Sequence, residues 1–494
     1  MWSTIFKKIR ALIPFMNNQT EYSRLPKCLL FILFLFLLPT ENAVSQPNNI
    51  IFFIGDGMGF EQVKAAGMYA NGVEGALSFE TFPYQAELTT YAADSPVTDS
   101  AAAATAIATG IKVNNGVISR SYPGDGSELE TLLEYFKDMG KMTGLVTTTA
   151  ITHATPASFG AHVAIRSDFD GIASYYLNQT LPNVLFGGGG SGMTGVSAEQ
   201  AGYIVVTDRN EMLSIDTENL AMVCGLFGNS IPYEYDGVGI LPHLSEMTST
   251  AIAILDNDPD GFFLMVEGGL IDWAGHSNDI IRNIFETMEF ANAVEVAADW
   301  ARDRTDTLIM VTADHETGGL DVLINNGQGN FPIVTWSTTG HTATNVPIYA
   351  WGKNAELVSD VMDNTDLFYV ATGQRPQRTI FISNGGRRNC FIATAAFESP
   401  INPYVKILQE FRRQYLLNND IGKFFLSLYD TFSPPVADYI RENANLRVIV
   451  RTGLLPIIGI TWFLLNYGFL QSLLTLCVIC LALFYSVRLV RRYR

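Results

Sequence analysis

Two short motifs place a histidine beside a carboxylate at spacings that suit a divalent metal ion. Asp272 and His276 stand four residues apart in IDWAGH, so they share one face if this segment is helical. Asp314 and His315 are adjacent in TADHETGG, directly after an apolar run. Imidazole nitrogen and carboxylate oxygen are common zinc ligands. Each motif alone also fits a surface helix or an ordinary strand end, so the hypothesis of a metal site depends on the rest of the chain.

A serine lies at the predicted start of an alanine-rich helix. Ser100 occurs in VTDSAAAATAIATG, and residues 101–109 have the composition of a helix. The free amides and the positive dipole end of a helix start attract anions such as phosphate. A serine hydroxyl becomes an effective nucleophile when a base or a metal ion removes its proton. The alternative is that Asp99 or Ser100 serves only as the N-cap of the helix.

Six more residues carry groups that bind metal ions or phosphate. They are Asp56 in IGDGMG, His153 and Thr155 in THATPASFG, Arg166 in AHVAIR, Glu267 in MVEGG and His341 in TGHTATN. Carboxylate and hydroxyl oxygens suit magnesium, and the planar fork of an arginine matches two oxygens of a phosphate. Taken singly, the same residues also fit a loop carboxylate, a turn histidine and a solvated arginine.

Four apolar runs of strand length precede most of these candidates. Each run ends in a polar or glycine-rich turn, and they occupy residues 49–54, 143–147, 262–266 and 307–311. Such runs are typical of buried parallel strands, and helical patterns at 101–109 and 283–301 separate them. We therefore predict an α/β fold with a doubly wound, largely parallel sheet and helices on both faces. Ligands bind beyond the carboxyl ends of such strands, so the metal site is expected there.

The charge of the chain is unevenly distributed. Of its 494 residues, positions 46–373 contain 11 Lys and Arg against 41 Asp and Glu, a net charge of −30, whereas the whole chain has a net charge of −18. An acidic body repels polyanions, which argues against nucleic-acid binding. Of the five cysteines, only Cys224 and Cys390 lie outside the apolar segments near the two ends of the chain, so no disulfide framework is predicted.

Taken together in chain order, the motifs resemble those of a known family. IGDGMG, TDSAAAAT, THATPASFGAHVAIR, VEGGLIDWAGH, TADHETGGL and GHTATNVP are similar to the alkaline phosphatases over residues 48–373. The resemblance implies hydrolysis of phosphate monoesters through a phosphoserine at Ser100, with Arg166 binding phosphate oxygens. It also implies one zinc ion on Asp272, His276 and His341, a second on Asp56, Asp314, His315 and Ser100, and one magnesium ion on Asp56, Thr155 and Glu267 with His153 beside it.

Several features differ from the family pattern or leave alternatives open. His153 stands where some relatives have aspartate and Trp273 where others have lysine or histidine, which changes the groups around the expected magnesium and phosphate sites. The short stretch between Asp314 and His341 leaves little room for a large insertion, so a homodimer is implied only by the resemblance. A phosphodiesterase and a catalytically inactive phosphate-binding module are the rival hypotheses. The glycine run at 187–190 lacks the flanking residues of a P-loop and is predicted to be a structural turn.

The two ends of the chain have the composition of export and membrane segments. Residues 1–45 contain an 11-residue apolar run and are predicted to be a signal peptide region, with an uncleaved anchor as the alternative. Residues 46–373 form the predicted catalytic domain, and 374–452 a linker and helical C-terminal module that includes CFIATAAFES. Residues 453–494 are predicted to be a hydrophobic membrane anchor with a basic tail, crossing once or, alternatively, twice, and two helices packed in a soluble core are the further alternative. The catalytic domain would then lie on the periplasmic or extracellular side.

Overall fold

The computed structural model describes residues 46–218 and 222–373, together with isolated helical positions between 404 and 465. The chain divides into two compact units, Met1–Thr379 and Ile380–Arg494, and the elements below belong to the first. The predicted signal peptide region, C-terminal module and membrane anchor lie outside the described residues, apart from those isolated positions. Among the residues described, no helix has both the length and the apolar composition needed to cross a membrane.

The described part of the first unit contains strands β1 (Asn49–Gly55), β2 (Tyr84–Thr89), β3 (Met142–Ala150), β4 (Val184–Gly188), β5 (Ile204–Val206), β6 (Val223–Leu226), β7 (Phe262–Gly268), β8 (Thr307–Thr312), β9 (Glu316–Thr317), β10 (Leu320–Ile324), β11 (Ile333–Trp336), β12 (His341–Thr342), β13 (Val346–Gly352) and β14 (Val361–Asp363). Its α-helices are α1 (Phe60–Asn71), α2 (Ser100–Thr109), α3 (Leu132–Asp138), α4 (Ala154–Gly160), α5 (Phe169–Tyr175), α6 (Gly195–Gln200), α7 (Arg209–Leu213), α8 (Leu244–Leu255), α9 (Leu270–His276), α10 (Ile280–Ala301) and α11 (Asp366–Ala371). Strands and helices alternate along most of this region, as an α/β fold requires.

Ten of these strands form one large mixed sheet in the order β14-β2-β13-β8-β1-β7-β3-β4-β6-β5. The four apolar runs identified in the sequence are its central neighbours β8, β1, β7 and β3, which pair in parallel. Every residue of β1, β7 and β8 is buried, and this explains why these strands lack alternating polar positions. The prediction of a mostly parallel sheet is confirmed. Strand β13 runs antiparallel to both β8 and β2.

The register of the central strands brings their carboxyl ends to one level. Ile54 of β1 pairs with Glu267 of β7 on one side and with Thr312 of β8 on the other. The residues that follow these positions therefore emerge side by side at the same edge of the sheet. Side chains from three different parts of the sequence can meet there without any long loop.

Aromatic side chains fill the space between the sheet and its helices. The ring of Phe263 in β7 stacks on Phe136 of α3 and on Phe159 of α4, with centroid distances of 5.5 and 5.9 Å. Phe53 of β1 meets Phe290 of α10 edge-on at 6.0 Å. Each of these side chains is fully buried, and burying one contributes about 1.5–3 kcal/mol relative to exposure. The strands that lead to the predicted site are therefore held on a rigid base.

The glycine run at 187–190 is only partly the turn that its sequence predicts. Gly187 and Gly188 are the last residues of β4, and a Cβ atom on Gly188 would lie 2.1 Å from the carbonyl oxygen of Asn229. Gly190 has a φ of 76°, which favours glycine. Close packing against a neighbouring loop therefore accounts for Gly188, and a turn accounts for Gly190.

Candidate metal centre and active site

Three carboxylates from neighbouring strands meet at the carboxyl edge of the sheet. Asp56 follows β1, Asp314 follows β8, and both are fully buried. Glu267 is also fully buried, but it lies within β7 and not after it, because the strand continues to Gly268. Burying a carboxylate is costly unless a cation or hydrogen-bond donors compensate it. Three such groups at one edge of a sheet therefore require an explanation.

Ser100 is the first residue of α2 and lies beside this carboxylate group. Asp99 is the N-cap, and its side chain accepts a hydrogen bond from the amide of Ala102 at 3.0 Å. Ser100 is 3% exposed, and its Oγ lies 3.4 Å from Nε2 of His315. Asp99 supplies the cap, so the hydroxyl of Ser100 is not used for capping. Its contact with His315 places it in the site, where the start of the helix favours an anion.

Two histidines place their Nε2 atoms opposite one another across a short gap. Nδ1 of His276 lies 2.6 Å from the carbonyl oxygen of Thr339, and Nδ1 of His341 lies 2.9 Å from that of Thr98. A carbonyl oxygen only accepts hydrogen bonds, so in each neutral ring Nδ1 carries the proton and Nε2 carries the lone pair. The two Nε2 atoms are 3.2 Å apart. A shared cation would satisfy both lone pairs.

Asp272 lies close to both of these histidines. It lies in α9 with His276, and its Oδ2 is 3.3 Å from Nε2 of His276. Its Oδ1 is 3.6 Å from Nε2 of His341. The helical spacing of IDWAGH is therefore confirmed, with the two side chains on one face.

His315 lies between the two groups of ligands. Its Nε2 is 3.2 Å from Oδ2 of Asp314 and 3.5 Å from Oδ1 of Asp56. Its ring stacks on that of His341 with centroids 3.5 Å apart. His315 is fully buried, and it thus contacts the carboxylates of one group and the imidazole of the other.

The buried polar atoms of the site test whether metal ions fit it. Six of the buried side-chain atoms without a hydrogen-bond partner belong to predicted ligands: both carboxylate oxygens of Asp56, Oδ2 of Asp314, Oε1 of Glu267, Oγ1 of Thr155 and Nδ1 of His153. Buried unpaired polar atoms are rare in folded proteins and usually have an unseen partner. Oxygen and imidazole donors of this kind suit divalent cations, so the residues fit the implied metals.

Ligand atoms within 4.8 Å of one another form three groups at this edge: Asp272 with His315 and His341, Asp56 with Asp314 and His315, and Asp56 with His153 and Glu267. They overlap the three predicted ligand sets. The structure places His315 in the first two of these groups, whereas the family resemblance assigned it to one ligand set. The side chain of His276 is 40% exposed and lies at the mouth of the site.

Burial and neighbouring negative charges oppose the charged state of these carboxyls. Burial, followed by repulsion from Asp314, raises the pKa of Asp56 well above its usual value. Burial raises the pKa of Glu267 to about 7 and that of Asp314 to about 6. A carboxyl whose pKa is raised by folding favours the folded state only while it is protonated. Its contribution to the free energy of unfolding is therefore lost as the pH rises from about 4, the pKa in the unfolded chain, through the pKa in the folded protein. Bound cations would reverse the effect.

Arg166 lies at the opening of the site, held by its neighbours. Its Nη1 donates to Oδ2 of Asp99 at 3.0 Å, and Nη2 is 3.5 Å from Nε2 of His153. Burial and the charge of Arg166 lower the pKa of His153 to about 4, so this imidazole is neutral at pH 7. Trp273, 37% exposed, meets the ring of His153 edge-on at 6.4 Å. The two residues that depart from the family pattern therefore contact one another.

Several supporting residues were not identified from the sequence. Thr147 and Thr149 donate hydrogen bonds to Oε2 of Glu267, the second at 3.3 Å. Thr317 contacts both Asp272 and His315. The run TTT at the end of β3 and the threonine two residues after His315 were the available signals, but a threonine in a strand is ordinary.

A sequence model of the alkaline phosphatase family matches residues 47–334, more than half of the chain. The chain belongs to the alkaline phosphatase family. Its function is accordingly the hydrolysis of phosphate monoesters, and it is a phosphoric monoester hydrolase. Both agree with the prediction made from the ordered motifs.

Individual relatives agree with this family assignment. Alkaline phosphatase 3 of Bacillus subtilis is 34% identical over 408 residues, which cover 65% of this chain and 87% of the relative. The cold-active alkaline phosphatase of Shewanella sp. is 30% identical, with coverage of 66% and 98% and a TM-score of 0.60. The alkaline phosphatase of the Antarctic bacterium TAB5 is 29% identical, with coverage of 67% and 100% and a TM-score of 0.59. A variant of that enzyme with a histidine replaced by aspartate was solved with magnesium bound.

The two roles of Asp99 can be separated by mutation. We expect Asp99→Ala to lower the free energy of unfolding by about 1 kcal/mol or more, because it removes the N-cap of α2 together with the ion pair to Arg166. Asp99→Asn keeps the capping oxygen and should retain most of that stability. Urea denaturation measures both, with the exposed Glu74→Ala as a control for loss of one surface charge. Equal losses in the Ala and Asn variants would show that the cap contributes nothing.

Proposed function

We propose that this phosphatase works through a phosphoserine intermediate on Ser100, with two zinc ions and one magnesium ion. The observation that carries the proposal is the environment of the serine hydroxyl. Ser100 Oγ is buried 3.4 Å from Nε2 of His315, and that nitrogen lies within 3.5 Å of carboxylate oxygens of Asp56 and Asp314. Such a cluster of acceptors around a serine suits a cation that also lowers the pKa of the hydroxyl.

The geometry supports a ligand set for each ion. Asp272, His276 and His341 would hold the first zinc, Asp56, Asp314, His315 and Ser100 the second, and Asp56, Thr155 and Glu267 the magnesium with His153 beside it. When bound, the zinc ions supply positive charge that stabilises the attacking and leaving oxygens of the displacement. The unpaired atoms of Asp56, Glu267 and Thr155 support the magnesium set.

Ser100 would carry the covalent step. Its Oγ forms a bond to phosphorus and gives up its proton, while the bond from phosphorus to the ester oxygen breaks and the alcohol takes up a proton. In the second half, a water oxygen bonds to phosphorus, the bond to Oγ breaks, and the serine regains a proton as inorganic phosphate leaves. The amides at the start of α2 favour the phosphate in both halves.

Arg166 would hold the transferred phosphoryl group. Its guanidinium can donate two parallel hydrogen bonds to phosphate oxygens, a geometry that lysine does not provide. Asp99 accepts a hydrogen bond from the guanidinium of Arg166 at 3.0 Å. On the other side of the guanidinium, the neutral imidazole of His153 neither neutralises nor repels its positive charge. The positive charge also stabilises the loose transition state of phosphoryl transfer.

Replacing the nucleophile tests the phosphoserine. We expect Ser100→Ala to abolish turnover of p-nitrophenyl phosphate while metal content is retained, because the serine supplies one metal contact but all of the covalent chemistry. Quenching the wild-type enzyme at low pH with labelled substrate should trap phosphate on Ser100. The matched control is Ser214→Ala, an exposed serine that bonds only within its own helical turn. Label on any other residue would contradict the assignment.

The relative importance of Arg166 gives a second test. We expect Arg166→Ala to lower kcat/KM by roughly 100-fold, as for loss of one charge-stabilising donor. Loss of Asp314 or His315 should be more severe, because each positions a metal ion and not only the phosphate. Metal analysis of each variant accompanies the kinetics. An equal collapse in all three variants with metals retained would reject this order.

We also propose that the catalytic domain is exported and anchored by residues 453–494. Support comes from the 11-residue apolar run before residue 46, the absence of charge from 453 to 487 and the arginines that close the chain. A single span at about 469–487 would leave those arginines on the cytoplasmic side, as positive residues prefer. The homodimer implied by the family resemblance stays a prediction.

Truncation tests the anchor. We expect a chain ending at Gly386 to be soluble, because it lacks the proposed anchor at 453–494, and active, because it retains every proposed ligand. The full chain should sediment with membranes and resist carbonate extraction. Full-length protein that stays in solution without detergent would refute the anchor, and the same two preparations show by size-exclusion chromatography whether the enzyme is a dimer.

A further inference from the structure

Thr317 lies where the two proposed zinc ligand sets meet. Its Oγ1 is 2.5 Å from Oδ1 of Asp272 and 3.2 Å from Nδ1 of His315. The residue is fully buried. The sequence predicted no role for Thr317, yet its hydroxyl contacts Asp272 of the first proposed set and His315 of the second.

The direction of each hydrogen bond follows from the chemistry of the three groups. An ionised carboxylate only accepts, so the single proton of the hydroxyl is donated to Asp272. Oγ1 of Thr317 can then only accept from His315, which requires the proton of that imidazole to be on Nδ1. The lone pair of His315 is thereby fixed on Nε2, the atom that lies near Asp56 and Asp314.

The backbone leaves Thr317 little freedom to move. Its amide donates to the carbonyl of Gly57 at 3.2 Å, and it pairs with His341 in the two-stranded sheet of β9 and β12. The side chain of Thr317 also packs closely against two glycines, since a Cβ on Gly57 would lie 2.8 Å from Oγ1 and one on Gly275 would lie 3.1 Å from Cβ of Thr317. The hydroxyl is therefore held in place between its two partners.

We propose that Thr317 is a positioning residue that selects the metal-binding tautomer of His315 and links its orientation to that of Asp272. The proposal rests on the zinc sites proposed above. Hydrogen bonds to metal-binding histidines commonly contribute 10- to 100-fold in metal affinity. Here a single hydroxyl would serve ligands of both sets, so its loss should weaken both zinc ions and not one alone.

Two substitutions separate the hydroxyl from the shape of the side chain. Thr317→Val keeps the branched shape and removes the hydroxyl, whereas Thr317→Ser keeps the hydroxyl. We expect the Val variant of the full-length protein in detergent to bind both zinc ions 10- to 100-fold more weakly in competition with a chromogenic chelator. The Ser variant should remain within a few-fold of wild type. Activity at saturating zinc is a secondary readout.

A buried threonine elsewhere provides the matched control. Thr248 is fully buried in α8, and its hydroxyl donates only to the carbonyl of Leu244 one turn earlier. Thr248→Val should leave zinc affinity unchanged. Melting temperatures measured in EDTA report the loss of the hydrogen bonds themselves, so Thr317→Val should melt below wild type there, and the difference should widen when zinc is added. If the Val variant does not fold, Thr317→Ala replaces it with the same expectation.

Each outcome bears on a different proposal. Wild-type zinc affinity in the Val variant, or a Ser variant as weak as Val, would overturn the role of Thr317 and leave the zinc sites intact. Loss of one zinc ion with the other unaffected would refute the link between the two sets. Wild-type protein that binds no zinc would instead reject the proposed cofactors, and the role of Thr317 with them.

Discussion

The burial of three carboxylates at one edge of the sheet, together with the repulsion between them, is the constraint on which the site depends. Asp56, Glu267 and Asp314 are carried to one edge by three strands whose registers coincide, and all three are fully buried. Packing of the strands, not attraction between the side chains, brings them together. The core thus stabilises an arrangement that the charges themselves oppose, and divalent cations are the compensation that this donor set fits.

The histidines are prepared for a cation in a different way. The backbone carbonyls of Thr98 and Thr339 accept hydrogen bonds from Nδ1 of His341 and His276, and the side-chain hydroxyl of Thr317 accepts one from Nδ1 of His315. All three rings therefore present Nε2. Because these contacts fix the tautomers before any ion arrives, little reorganisation is required when a metal binds.

The sequence predicts the central sheet and the candidate ligands because both depend on local patterns. An uninterrupted apolar run such as 49–54 indicates a strand that is buried on both faces of the sheet, and the ordered motifs indicate the family. Contacts made by loops leave no such pattern. Nothing in the sequence distinguishes Thr339 or Thr317 from other threonines. Only the tertiary structure places the carbonyl of the first and the hydroxyl of the second beside a histidine. The antiparallel strand β13 was not among the four predicted strands, and an apolar run would in any case indicate burial but not direction.

A single carboxylate connects the nucleophile to the group that would bind phosphate. Asp99 caps α2 through Oδ1, and this cap fixes the first turn of the helix, where Ser100 lies. Through Oδ2 it accepts from Arg166 and from the amide of Gly116, each at 3.0 Å. Any movement of Asp99 therefore displaces the serine and the guanidinium together. The distance between the attacking oxygen and the phosphate-binding fork is thus set by one short side chain held by three hydrogen bonds, which suits a reaction that depends on positioning.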